Sequence, residues 1–280
     1  MSAETRSSGS TPSAAAASAG WLERAWALVE PVYEARWALL PPLTGVAMLA
    51  MLVGAVVVAP REAIEGEVQR LFYIHVPSAI AAYLAFFVVF VASIAVLWRR
   101  DLRYDPLARA AAGVGVLFTV LTLATGAIWG KPIWGTWWAW DARLTSTLVL
   151  LLIYSGYLLA RSLSDSTDVQ AARYAAVFAV IGFVDIPIIN MSVRWWRTLH
   201  PDPIVTRGLG DQALPTSMLM VLLIGMVAVT LLATWLLALR AEAERIGVRA
   251  IELRAEVDRI AADTELLAAF PADTQLLADT

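Results

Sequence analysis

The residues best equipped for chemistry form one dense run and two outliers. Trp134-Gly-Thr-Trp137-Trp138-Ala-Trp140-Asp141-Ala-Arg143 places four indoles, a carboxylate and a guanidinium in ten residues. The chain's 2 histidines stand apart from it, His75 in Tyr73-Ile-His75-Val-Pro77 and His200 in Trp195-Trp196-Arg-Thr-Leu-His200. Indoles are flat and stack well, so four together suit a large, planar, apolar ligand better than a single anchor at a membrane surface does. Taken one at a time, each Trp also fits an interfacial aromatic belt, and each His fits a polar residue satisfied by water or backbone.

The histidines narrow the ligand. A neutral imidazole is a good axial ligand for haem iron, and two from opposite sides complete its coordination while the macrocycle lies on an aromatic shelf. Arg70, Arg143, Arg194 and Arg197 are candidates to pair with propionates, since a guanidinium grips a carboxylate bidentately. Other chemistries lack parts. With 0 cysteines there is no disulfide, thiol redox centre, Cys-ligated zinc or iron–sulfur cluster in this chain. There is no Gly-rich phosphate loop, H-E-x-x-H or G-x-S-x-G, hence no recognisable catalytic nucleophile or base. A net charge of -3 without a basic block gives nucleic acid no surface to bind.

The elements that must position these groups are helices in a bilayer. At 59% hydrophobic and 16% charged, the chain is too apolar for a soluble domain. Six stretches reach membrane-spanning length, near 39–59, 76–98, 107–129, 145–161, 172–191 and 215–239, which makes the fold an all-α, six-span membrane protein with the Trp-rich segment 130–146 between spans. The first apolar run begins too late to be a cleaved leader. Residues 1–38 read as a small-residue, disordered start leading into an interfacial segment, and 240–280 as a charged amphipathic tail, either solvated or docked to a partner. With both termini inside, Arg and Lys divide 14 inside to 7 outside, so the charge bias puts the Trp run and both histidines on the outer face.

Finer placement follows from helical spacing. A helix through 134–141 would align Trp134, Trp137, Trp138 and Asp141 in one stripe with Trp140 on its flank, and a helix through 196–200 would set Trp196 beside His200. Thr145, Ser146 and Thr147 either cap the fourth span or bond back to its own backbone. Gly115, Thr119, Thr122 and Gly126 share one face as a packing stripe. Asp185, inside the fifth span beside Pro187, is either functional or structural, facing the bundle interior or a wet cavity in both cases.

Trp134 through Ser146 resembles the WWD signature of haem-handling proteins in cytochrome c biogenesis. The His75 and His200 segments resemble those of its CcmC branch, the haem exporter protein C family, over about residues 39–239. The resemblance implies a six-span inner-membrane protein that holds non-covalent, b-type haem at the periplasmic face. His75 and His200 would be its axial ligands, and Trp134, Trp137, Trp138, Trp140 and Asp141 the platform. It further implies presentation of haem to a CcmE-like chaperone, with CcmA- and CcmB-like ABC transporter subunits and a CcmD-like single-span protein as partners. Arg70 and Arg143 are the propionate candidates. The chain has no further histidine for the second haem of larger WWD relatives that complete the attachment. Two other readings remain open, a transporter moving haem through the bundle and a permease-like subunit of an ABC-type complex whose Trp run is only a belt.

Overall fold

The computed structural model describes residues 14–164, 168–196, 198–200 and 214–269, with side chains described from residue 34 to residue 265 within those ranges. Its elements are α1 (Ala14–Val53), continued by a π-helical segment Gly54–Val58, a 3-10 turn Glu67–Leu71, then α2 (Phe72–Arg99), α3 (Asp105–Trp134), α4 (Ala142–Leu163), α5 (Val169–Phe183), α6 (Asp185–Trp195) and α7 (Thr216–Ala269). Among the described residues the one β pairing is an isolated bridge between Glu62 and Gly66, so the chain is an all-α protein. Six helical stretches are long and apolar enough to cross a membrane: Glu34–Val58, Glu67–Arg99, Leu102–Trp134, Ala142–Leu163, Val169–Trp195 and Thr216–Glu265, one for each expected span.

Local chemistry sets the ends. Asp168 caps α5 by accepting from the N–H groups of Gln170 and Ala171. Pro106 sits at the start of α3, where its missing N–H costs nothing. The fifth span is two helices because Pro187 cannot donate to the Phe183 carbonyl, and α5 stops at that residue. Asp185 stands at this break, half-buried, with its Oδ2 buried and without a hydrogen-bond partner among the described residues. In α4, Ser146 and Thr147 bond back to the Ala142 and Arg143 carbonyls, so they do not cap the span.

Small residues let the helices close up. A Cβ on Gly115 of α3 would collide with the Phe86 ring of α2, and Phe86 in turn stacks on Tyr154 of α4 at 3.9 Å. The Tyr154 hydroxyl donates to the Ala179 carbonyl of α5 at 3.0 Å, so four helices, α2 to α5, meet around one aromatic pair. Val46, Leu49, Leu84, Phe87, Leu117 and Leu223 point outward, as hydrocarbon permits and water does not. At the end remote from the Trp run, Arg161 and Asp105 form a buried 2.7 Å ion pair joining α4 to α3. Glu244 of α7 pairs there with Arg109 of α3 at 3.0 Å and with Arg240 at 3.6 Å.

Both terminal segments are helical where they are described. The small-residue start is helical from Ala14, consistent with the high helix propensity of its alanines, while residues 1–13 lie outside the described ones. The charged tail continues the last span: α7 leaves the bundle unbroken and runs to Ala269, with Ile246, Leu253 and Ile260 exposed along it.

Candidate functional site

The site is organised by the last turns of α3. The helix stops at Trp134 because Gly135 adopts φ 75°, a left-handed conformation that favours glycine, and its N–H bonds the Lys131 carbonyl at 3.0 Å. Residues 135–141 are therefore not helical, and the expected single stripe of Trp134, Trp137, Trp138 and Asp141 does not form. The indoles divide. Trp134 stays on α3 and packs against His200 with ring centroids 5.1 Å apart. Trp138 meets Trp140 edge to face at 5.6 Å, while Trp137 and Trp140 are 60% and 78% exposed. Lys131 lies 5.9 Å above the Trp137 ring.

Asp141 joins the run to the His200 segment. Its Oδ1 caps α4 by accepting from the Arg143 and Leu144 N–H groups at 2.9 and 3.0 Å. Its Oδ2 accepts from the Thr198 hydroxyl and, at 2.9 Å, from the Leu199 N–H. Burial raises the carboxyl's pKa, but these donors outweigh it and hold the group below the usual carboxylate range. Asp141, expected in the ligand platform, is thus a buried staple with both oxygens in use.

His200 follows two residues after Thr198. The expected helical pairing with Trp196 is absent: α6 ends at Trp195, Trp196 is extended with φ -126° and ψ 157°, and its indole leans on Trp195. The partner of His200 is Trp134. Its Nδ1 is 3.9 Å from Asp141 Oδ1, too far for a hydrogen bond, and has no hydrogen-bond partner among the described residues. Burial, with the Arg143 charge adding to it and Asp141 opposing, lowers the imidazole pKa to about 4. The ring is neutral at pH 7, the form that can ligate a metal.

His75 sits in the first turn of α2 against α3. Its Nδ1 is 3.0 Å from Thr125 Oγ1, and its ring meets Trp129 edge to face at 5.7 Å. A Cβ on Gly126 would lie 3.0 Å from its Cε1, so the last member of the small-residue stripe makes room for the imidazole. Trp129 is held by a 3.0 Å bond from its Nε1 to Glu65. Thr125 and Trp129 were not foreseen as site residues, because inside an apolar span they read as packing; their i, i+4 spacing directly before the Trp run was the available signal.

The arginines separate too. Arg70, a propionate candidate, gives its Nη1 to the Ala55 and Ala59 carbonyls at the end of the first span and its Nε to Glu67. Arg143 lies within electrostatic reach of both imidazoles and of Tyr83, which Asp185 also influences. Arg194 is exposed, and Arg197 lies outside the described residues.

Fold and site together define a multi-pass helical membrane protein that seats two imidazoles beside indoles at the end of α3, His75 by Trp129 and His200 by Trp134. The family model described as Heme exporter protein C matches residues 23–256, and the chain belongs to that family. It is 40% identical over 233 residues, 81% of this chain and 87% of the relative, to Heme exporter protein C of Bradyrhizobium diazoefficiens. To Heme exporter protein C of Escherichia coli K12 it is 43% identical over 143 residues, 51% of this chain and 58% of the relative. A match of 45% over 143 residues, 51% of this chain and 60% of the relative, is to a putative cytochrome c biosynthesis ccmC-like mitochondrial protein of Marchantia polymorpha. The chain is thus a multi-pass membrane member of a haem-handling family of cytochrome c maturation.

Proposed function

We propose that this chain binds haem non-covalently at the periplasmic face of the inner membrane, with both termini cytoplasmic, and presents it to a CcmE-like haem chaperone. The observation that carries the reading is the convergence of the chain's 2 histidines on the end of α3, one against Trp129 and the other against Trp134. The donor set suits the cargo. Among the described residues no cluster of three or more His, Asp or Glu could hold a bare metal ion, whereas haem supplies its own equatorial ligands and needs two imidazoles. His75 and His200 hold the iron. Trp134 and Trp138 shape the pocket wall, and Trp137 and Trp140, exposed beside it, form the surface that a chaperone touches. Arg143 supplies positive charge for the propionates. Arg70 supports the site indirectly, by fixing the end of the first span.

The chain's own work is to bind, orient and expose the haem; no residue acts as nucleophile or general base, and the protein is a transfer factor. CcmA- and CcmB-like transporter subunits and a CcmD-like protein are its expected neighbours. Detergent-purified protein should show a low-spin, bis-imidazole haem spectrum. His75→Ala and His200→Ala should each abolish it, with haem lost or turned high-spin; a low-spin spectrum in both variants would refute the assignment.

A further inference from the structure

We infer that Thr125 is a positioning residue for His75, fixing the imidazole tautomer that turns a lone pair on Nε2 toward the ligand. The inference rests on the reading of His75 as an iron ligand. The Thr125 side chain is buried, and its hydroxyl carries one proton. That proton is engaged: Oγ1 donates to the Leu121 carbonyl at 2.7 Å, the back-bond of a helical threonine. The contact between Oγ1 and His75 Nδ1, at 3.0 Å, is then one in which the hydroxyl oxygen accepts and Nδ1–H donates. A neutral imidazole with its proton on Nδ1 carries its lone pair on Nε2, and a second partner of this kind fixes ring orientation and raises ligand basicity.

Three neighbours on one helix hold the ring in register. Thr125 binds its nitrogen, Gly126 leaves room for its Cε1 edge, and Trp129 closes one side. All three come from α3, so His75 is oriented by a neighbouring helix and not by its own. His200 has no equivalent. Its Nδ1 lacks a hydrogen-bond partner among the described residues, and the nearest carboxylate oxygen, on Asp141, is at 3.9 Å. The two ligands therefore differ in basicity, with the better electron donor on the His75 side.

The test uses the full chain with and without haem. In His200→Gln, His75 is the sole histidine, and its ring 15N shifts in haem-free protein should report a proton on Nδ1; a proton on Nε2 overturns the inference. Thr125→Val keeps the side-chain shape and removes the acceptor. It should weaken haem binding roughly tenfold, the scale seen when a metal ligand loses its supporting partner, and raise the haem reduction potential, because a less basic imidazole stabilises ferric iron less. Thr125→Ser should restore both. An unchanged potential in Thr125→Val, or a Ser variant that behaves like Val, overturns the role. Should His75→Gly keep a low-spin spectrum, the ligand reading fails by itself, and the tautomer in haem-free protein still decides what Thr125 does.

Discussion

The two histidines reach the same site by opposite means. His75 belongs to a regular helix and is seated against a second one, α3, by a hydroxyl, a glycine and an indole within five residues, Thr125 to Trp129. His200 lies beyond the end of α6 in non-helical chain, and its place depends on Asp141, which binds Thr198 and Leu199 just before it. One imidazole is set by helix packing, the other by a single carboxylate. Under the proposed function this inequality suits release, since the less supported bond would yield while the other keeps the haem in register.

Breaking the weaker side should have the largest effect. Asp141→Ala removes the α4 cap and the staple together. The cap alone is worth about 0.5–2 kcal/mol, and the freed Thr198 and Leu199 donors add to that loss. We expect a lower melting temperature and conversion of bound haem to a five-coordinate, high-spin form that keeps His75. Complete haem loss with unchanged stability would show that the asymmetry is wrongly drawn.

A smaller effect is expected on the other side. In Gly126→Ala the new methyl presses on His75 Cε1, where an ideal Cβ lies 3.0 Å away, and α3 is otherwise undisturbed. Haem affinity should fall several-fold with little change in thermal stability, since a small shift of the ring answers the contact. Equal losses in both quantities would mean that α2 and α3 separate and do not simply reorient the ring.

A third expected effect is on pH dependence. Burial lowers the folded-state pKa of His200 to about 4 from an unfolded value near 6.5. The unfolded chain therefore takes up its proton first, and stability decreases as pH falls from about 6.5 toward 4, while this group contributes no slope above that window. Melting temperatures of haem-free protein between pH 7 and pH 5 should decline less steeply in His200→Gln than in the unaltered chain. Identical slopes would show that the imidazole is solvated and not held in a dry pocket.

Much of this was legible in residue order. Hydropathy alone located six spans, because a bilayer admits few other solutions for so apolar a chain. What the sequence could not show was how the chain turns between spans. Gly135 ends α3 in a left-handed residue, which moves Trp137 and Trp138 off the stripe that helical spacing assigned to them. Trp196 and His200 looked like partners at i, i+4, yet the helix closes before them, and a residue more than sixty positions away, Trp134, takes the place beside the imidazole. Arg70 carried the right charge for a propionate, but the carbonyls of Ala55 and Ala59 claim it, and such a tertiary contact leaves no local trace. Thr125 and Trp129 were hard to single out for the converse reason: apart from their i, i+4 spacing before the Trp run, they resemble any other residues that pack one span against another.

The length of α7 has a mechanical consequence. At about 1.5 Å per residue its 54 residues make a rod of roughly 80 Å, against about 30 Å of hydrocarbon. The rod is clamped where it leaves the bundle by the Glu244 bridge to Arg109 on α3. The bridge thereby ties α7 to α3, the same helix whose opposite end carries Thr125, Trp129 and Trp134.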